Sequence, residues 1–313
     1  MKTAIFLSYK GLGSNLLHLA YCHQIAQKYG PVTVITFCKN LNEVLAKDPK
    51  IKEVIFLDKY QKKISDILKL SNFFSKLEID NIFIFYPSIR FFLASKIAKI
   101  KNVKCYLFYG KKKLHLVNAA KNFTKKILNI KNCPTETNIY IDKFDKEIAS
   151  KFIVKNKINI ILGIGSSGPT TKWGSENYIN LIKKMLRKND FFFFLLCGQN
   201  DKDQSDKIIK EIGTKYCLPL HSKNISEIIP IISLTNLYVG NDSFGHHVSS
   251  QCNIPSIVIM LDTPKAYTDY SRNQFRVLPN NINENQITHD SRYSNKSISV
   301  EKVFEKICSI LKL

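Results

Sequence analysis

The sequence predicts an α/β protein made of two doubly wound domains. Three observations carry this. Apolar runs of strand length recur along the chain, helix-like segments fall between several of them, and the alternation comes in two blocks separated by a polar stretch at 111–138. Strands alternating with helical segments build parallel sheets with helices on both faces. Ligands of such sheets sit at the carboxyl ends of the strands, so two such domains facing each other would form a cleft lined by their strand-end loops.

In the first block the strand-like runs are 4–9, 32–37, 54–57, 82–86 and 105–109, with helical segments at 16–28, 64–77 and 89–100. The stretch that follows is rich in lysine and contains Cys133-Pro134-Thr135. A helix at 144–154 then closes the first domain, which places the boundary at Lys155: residues 1–154 form one domain, 155–297 the second. The second block has strand-like runs at 159–165, 191–197, 237–239, 256–261 and 275–278, and helices at 178–187 and 225–233. Residues 298–313 make a C-terminal helix, since Val303, Phe304, Ile307, Ile310 and Leu311 recur with helical spacing.

Composition narrows the function classes. Hydrophobic residues make up 44% of 313, enough for real cores and too many for disorder. The formal charge is +22, with lysine clusters at Lys62-Lys63, Lys111-Lys112-Lys113, Lys125-Lys126 and Lys183-Lys184. Either the composition is simply lysine-rich, or the partner is anionic: nucleic acid, an acidic lipid surface or a phosphorylated substrate. The chain shows no zinc finger, RRM-type aromatic signature or basic helical stripe, which argues against nucleic acid. No apolar run is long enough to span a bilayer, and the N-terminus lacks a signal-peptide core. Eight cysteines are scattered without a Cys-x-x-Cys pair, so neither a zinc site nor a disulfide framework is indicated. The expectation is a cytoplasmic protein with reduced thiols and no metal.

The candidate site residues lie just after strands. Gly11-Leu12-Gly13-Ser14-Asn15-Leu16 follows the first strand and approaches a dinucleotide fingerprint. Its third glycine is replaced by Leu16, however, and no acidic residue ends the second strand, where Phe37-Cys38-Lys39-Asn40 stands, so a nicotinamide enzyme is disfavoured. After the run 159–165 comes a loop dense in donors, Ser166 to Glu176, containing Lys172 and the sole tryptophan, Trp173. Ser166, Ser167 and Lys172 can meet phosphate oxygens; the plainer alternative is a solvated loop with Trp173 as a packing anchor. Ser175 is placed to cap the next helix. Asp201-Lys202-Asp203 follows the phenylalanine run and offers carboxylates for a ribose, a weak D-x-D, or merely an acidic helix start. Asn241-Asp242-Ser243-Phe244-Gly245-His246-His247 runs from an apolar strand toward a helix, where outward backbone N–H groups attract phosphate.

Taken in order, these turns resemble glycosyltransferase family 9, the bacterial lipopolysaccharide heptosyltransferases. The resemblance rests on the glycine turn running into Leu16-Leu17-His18, Lys172-Trp173, Gly198, the helix 225–233, the Asn241-Asp242-Ser243 block with His247, Asn253-Ile254-Pro255 and Asp262-Thr263-Pro264. It implies a GT-B fold, two Rossmann-like domains with the active site in the cleft between them. It implies a nucleotide sugar, typically ADP-heptose, as co-substrate in the C-terminal domain, with no further cofactor, and a lipopolysaccharide-core acceptor facing the N-terminal domain, at the loop Gly11, Gly13, Ser14. Carried over by position, Ser166 and Ser167 touch the donor phosphates, Asp242 contacts the sugar, and Ser243 with the backbone of Phe244 and Gly245 cradles the diphosphate. His247 lies near the phosphates, Asp201 or Asp203 takes the ribose, and Lys223 lies near the base.

Three departures stand out. Phe244 occupies the place where the family has glycine. Lys172 stands one residue later than the family lysine, where Thr171 is found. Asn15 stands where the family has the aspartate that deprotonates the acceptor. The implied reaction is a single displacement with inversion. With an amide at the base position, three alternatives stay open: His18 is the base, Asp242 reaches the acceptor, or the chain binds a donor and transfers it poorly. A nucleotide-sugar-binding protein and a sugar-nucleotide epimerase of the same build are the alternative functions. The charge and the segment 83–100, with Arg90 amid aromatics, suit a peripheral contact with the cytoplasmic face of the inner membrane through an anionic glycolipid; a buried strand and helix is the simpler reading.

Overall fold

The apolar runs become the strands of two parallel sheets. The computed structural model describes residues 1–58, 65–106, 116–166, 172–289 and 291–313; Ser167, Lys62-Lys63 and Lys111-Lys112-Lys113 lie outside them.

The first unit, Met1–Tyr140, carries β1 (Thr3–Leu7), α1 (Leu12–Leu16), α2 (Leu19–Tyr29), β2 (Val32–Thr36), α3 (Leu41–Leu45), β3 (Ile51–Phe56), α4 (Asp66–Lys76), β4 (Asn81–Ile84), α5 (Ile89–Ile97), β5 (Asn102–Cys105) and α6 (Leu116–Leu128). Its sheet order is β3-β2-β1-β4-β5. Strands of this sheet are rich in Ile, Val and Phe because both faces are covered; Ala4, Ile5, Phe6, Ile82, Phe83 and Ile84 are fully buried. The expected helix 16–28 is two helices, broken where the His18 N–H reaches back three residues to the Asn15 carbonyl (2.9 Å). The polar stretch 111–138 contains α6, whose buried Val117, Ala120, Thr124 and Leu128 form one narrow stripe among lysines.

The second unit, Ile141–Leu313, carries α7 (Lys143–Ser150), β6 (Ile158–Gly163), α8 (Ser175–Leu186), β7 (Phe191–Leu196), α9 (Lys202–Ile212), β8 (Cys217–Pro219), α10 (Ile225–Ser233), β9 (Leu237–Asn241), α11 (Phe244–Gln251), β10 (Ser256–Ile259), β11 (Gln274–Val277) and α12 (Val300–Leu311). The order is β11-β10-β9-β6-β7-β8. From β6 the chain winds outward through β7 and β8, then returns to β9 on the other side of β6 and winds away. This is the Rossmann strand order, with its topological switch between β6 and β9.

The division falls at Tyr140/Ile141, earlier than the Lys155 expected from sequence. Thr137 is held to the first unit by the His23 ring at 2.6 Å, and Cys133 and Ile139 are buried. Helix α7 packs on α10 of the second unit. Helix α12 is no separate element, since Val303 and Ile307 belong to the second core. Strand β8 escapes the sequence reading because it has only three residues. All eight cysteines are free thiols. Among the described residues no helix is long and apolar enough to cross a membrane.

Candidate functional site

The switch point of the second sheet is packed around Tyr238. Gly163 and Gly240 are register partners on β6 and β9. A Cβ on Gly163 would lie 1.9 Å from the Tyr238 hydroxyl, and one on Gly240 2.5 Å from the Gly163 backbone. The two glycines therefore let the strands close under the tyrosine ring. Tyr238 donates to the Asn241 carbonyl (2.8 Å), and its oxygen lies 3.1 Å from Ser243 Oγ. Asn241 latches the two loops that flank the switch: its Oδ1 accepts from the Trp173 N–H (3.1 Å) and its Nδ2 donates to the Ile164 carbonyl (3.0 Å).

The loop after β6 is tied to the turn after β7. The Asp201 carboxylate is buried and accepts from Lys172 Nζ (2.5 Å), the Ser166 backbone N–H (3.2 Å) and Gln204 Nε2 (3.1 Å). Asp201 is thus engaged by protein donors instead of presenting its oxygens to a ribose, and the Ser166 N–H is committed to it. Asp203 is exposed in the first turn of α9. Trp173 is a core residue, fully buried, with its indole N–H on the Ile298 carbonyl (2.9 Å). Ser175 does not cap α8: the cap position is Gly174, whose φ of 92° is in the left-handed region that glycine tolerates. Lys223 lies over the Phe152 ring, 4.0 Å from its centroid, and 3.6 Å from Glu227.

After β9 the chain turns directly into α11, which starts at Phe244, four residues earlier than the sequence suggests. The cap residue Ser243 is extended (φ −153°, ψ 178°) and makes no side-chain cap bond. Its hydroxyl faces Tyr238 instead, so the first-turn N–H groups of α11 keep their partial positive charge without a side-chain cap. Phe244 is half-buried. Gly245 serves packing more than phosphate approach, since a Cβ there would lie 2.6 Å from both Leu196 and Tyr238.

The first turn of α11, with Asp242 just before it, holds a polar cluster that the sequence reading did not assemble. Asp242 Oδ1 bonds His246 Nε2 and lies 4.0 Å from His247 Nε2. His246 Nδ1 meets Gln274 Nε2 at 3.2 Å, and His247 Nδ1 meets the Tyr270 hydroxyl at 2.7 Å. Both imidazoles are buried, while Asp242 is partly exposed. Burial, with His246 alongside, holds the His247 ring well below the usual histidine pKa. The i,i+4 spacing of Asp242 and His246 was visible in sequence; Tyr270 and Gln274, far along the chain, carried no signal.

In the first unit the turn after β1 is a self-contained network. Asn15 is buried and donates to the Tyr9 carbonyl (3.0 Å) and the Gly11 carbonyl (2.7 Å), while its oxygen accepts from Thr36 Oγ1 (2.8 Å). Asn15 is thus a structural amide whose bonds are spent inside the loop. His18 donates from Nδ1 to the Ser14 carbonyl (2.7 Å) and is stacked on Tyr9, with Tyr21 and Phe85 at its edges. Its Nε2 has no hydrogen-bond partner among the described residues. Burial lowers its pKa from 6.5 to about 4, against the Ser14 bond that raises it. The position thus holds an enclosed imidazole with lowered basicity. Gly11 has φ −74°, and a Cβ there would meet nothing nearer than Ser14 Oγ at 3.9 Å, so the turn itself does not demand that glycine.

Two parallel sheets, one in Rossmann order with an uncapped helix start at its switch point, make the chain an α/β protein of two doubly wound units, the build that GT-B glycosyltransferases share. The profile of glycosyltransferase family 9 (heptosyltransferase) matches residues 107–304, more than half of the sequence, and the chain belongs to that family. Similar solved structures cover both units. The E. coli ADP-heptose lps heptosyltransferase II shares 17% identity at a TM-score of 0.77, over 100% of this chain and 99% of that one. A family 9 glycosyl transferase from Veillonella parvula shares 16% at 0.80, over 99% and 97%. The E. coli heptosyltransferase WaaC with ADP shares 13% at 0.71, over 99% and 100%. Comparison with curated proteins by sequence returns no match.

Proposed function

We propose that the chain transfers a heptose, with inversion, from an ADP-linked donor to an anionic glycolipid of the lipopolysaccharide-core kind. One observation carries the reading: the uncapped start of α11, Ser243 and the Lys172 ammonium all stand at the carboxyl end of the same sheet, beside its switch point. A diphosphate bound there meets helix-end N–H groups and a cation together. The ADP-heptose named for the similar E. coli enzyme supports the choice of donor.

In this reading Asp242 contacts the sugar, and Ser243 with the backbone at Phe244 and Gly245 holds the diphosphate. The Ser166 hydroxyl donates to its outer oxygens and the Lys172 ammonium offsets their charge, with Ser167 as a further donor outside the described residues. Asp203 replaces Asp201 at the ribose, and Lys223 stands on the base side. With Asn15 and His18 both committed to the fold of the first unit, leaving-group stabilisation carries the chemistry more than proton removal from the acceptor.

The acceptor is amphiphilic and anionic, which gives the surface of α5 a use. Phe91, Ala94 and Ser95 face the core, while Ile89 (60%), Leu93 (41%) and Ile97 (50%) stay exposed along one line. Arg90 and Lys96 flank that line by helical spacing, an arrangement that suits the face of an anionic membrane.

Melting scans with ADP-heptose, ADP, UDP-glucose and UDP-GlcNAc, paired with product analysis on a lipopolysaccharide-core acceptor, test the reading. An ADP-heptose-specific rise in Tm and heptose transfer are expected. Donor binding without transfer identifies a binding protein instead, and a response to UDP-sugars alone overturns the donor assignment.

A further inference from the structure

We propose that the cleft between β5 and α6 of the first unit binds the aliphatic chain of an anionic amphiphile. Residues of the two elements line a cavity of 530 Å³ there, within the range of about 300–1,000 Å³ typical of small-ligand sites. Both elements belong to the first unit, whereas α11 belongs to the second, so the cavity does not rest on the donor reading above.

The sequence of α6 builds one wall. Val117, Ala120, Thr124 and Leu128 form its core stripe, where Tyr21 of α2 donates to the Val117 carbonyl (3.1 Å). A second apolar stripe, Ala119, Phe123 and Ile127, recurs every fourth residue beside it. These side chains are only half-buried, and they line the cavity. A helix whose apolar face is wider than its core contact has surface left for another partner. From Ala119 to Ile127 the stripe runs about 12 Å along the helix axis, which suits an elongated chain. The facing wall is β5, an edge strand that pairs only with β4 among the described residues. Val103 belongs to the core shared with α4 and α5, so by alternation Lys104 and Tyr106 point to the other face, toward α6. Tyr106 is buried and meets Phe123 edge-on, with ring centroids 4.9 Å apart.

The rim fixes the sign of the head group. Lys104 and Lys126 line the cavity and are both exposed. None of the described lining residues is acidic, and α6 carries Lys121, Lys125 and Lys126 with no carboxylate. Lysine stems lie along apolar surface while their ammonium groups stay in water. The stems of Lys104 and Lys126 can therefore cover the chain while their charges meet an anionic head. A cationic head group is repelled by the same rim.

Titration calorimetry of the full chain with dodecyl phosphate, below its micelle concentration, tests the site. One equivalent is expected to bind. Octyl phosphate, four methylenes shorter, should bind ~100-fold more weakly, and dodecyltrimethylammonium ~10-fold more weakly. Ala119→Leu fills the cavity from a half-buried helix position and should weaken dodecyl phosphate ~10-fold. Lys126→Glu, on the exposed rim, should weaken it ~5-fold. Melting scans show that each variant is folded, and if Ala119→Leu fails, Lys126→Glu decides. Flotation with phosphatidylglycerol vesicles identifies the source of the chain. Release of the wild-type protein by dodecyl phosphate, lost in Ala119→Leu, means a chain drawn from a membrane lipid; flotation that is absent or indifferent to dodecyl phosphate means a free amphiphile. Both results uphold the cavity. Absence of saturable dodecyl phosphate binding, equal affinity for the cationic detergent, or wild-type affinity in the folded variants overturns it.

Discussion

Lys172 and Asp201 form an ion pair that joins the loop after β6 to the turn after β7, with the carboxylate nearly buried (6% exposed) and the ammonium partly so (28%). The pair holds the ammonium at a fixed place and occupies an oxygen of the Asp201 carboxylate.

Removing the lysine strands a buried carboxylate. Lys172→Met is expected to cost about 2 kcal/mol, below the range for a fully buried pair because Lys172 keeps some solvent. That lowers the Tm by roughly 4–8 °C. Asp201→Asn should cost less, since the remaining ammonium can reach water. Calorimetric melts of both variants check this, and equal melting of wild type and Lys172→Met would show that the pair contributes nothing to stability.

Asn15→Asp restores the residue that the family has at this place, yet the structure opposes it. A carboxylate cannot donate to the Tyr9 and Gly11 carbonyls, which then face a negative charge. A loss of about 2–4 kcal/mol at neutral pH is expected, from two unmet acceptors and a buried charge. The loss should shrink at acid pH, where the protonated acid regains one donor. Urea melts at the two pH values measure it. A transfer rate that rises in this variant without loss of stability would contradict the structural role of Asn15.

The fold was legible because buried parallel strands must be apolar and their helices must alternate with them. The phenylalanine run at β7 and the 225–233 helix fell where expected, since six consecutive buried residues and an asparagine cap leave little choice. Helix α6 was hidden because its buried stripe is narrow and its other faces carry lysine. The site was legible only as far as contiguous residues reach. Asp242, Ser243 and His247 stood out within one strand–helix turn. The pairing of Lys172 with Asp201, and of His247 with Tyr270, joins segments that only the sheet order brings together. The bonds of Asn15 to Tyr9, Gly11 and Thr36, and the burial of His18, were equally out of reach of the sequence, since they depend on how the turn after β1 closes.

His18 makes stability depend on acid. The groups around it are Tyr9, Tyr21, Phe85 and the Ser14 carbonyl. Its folded pKa of about 4 lies below the ordinary 6.5. The unfolded chain therefore binds the extra proton first. The His18 contribution is complete above pH 6.5 and is lost as pH falls through 4, a total of about 3 kcal/mol. His18→Phe keeps a stacked ring without a titrating group. Its stability profile should be flatter than wild type across that window, by up to ~1.4 kcal/mol per pH unit. Parallel acid slopes in the two proteins would mean that His18 is protonated in the folded state.

Gly245 sets how closely α11 approaches the sheet. An added Cβ would press on Leu196 of β7 and Tyr238 of β9, each at 2.6 Å. Gly245→Ala must therefore push the helix start outward or turn the tyrosine. Overpacking of this kind costs about 1–3 kcal/mol. The tyrosine also holds the turn through the Asn241 carbonyl and Ser243, so the displacement reaches the groups proposed to hold the diphosphate. ADP affinity is expected to fall ~10-fold or more, as a 1.4 kcal/mol loss would give. Phe244→Ala leaves these contacts untouched and should keep both stability and ADP binding closer to wild type. Titration calorimetry with ADP on the two variants separates them. If Gly245→Ala bound ADP as tightly as wild type despite a lowered stability, the helix start would not be where the diphosphate binds.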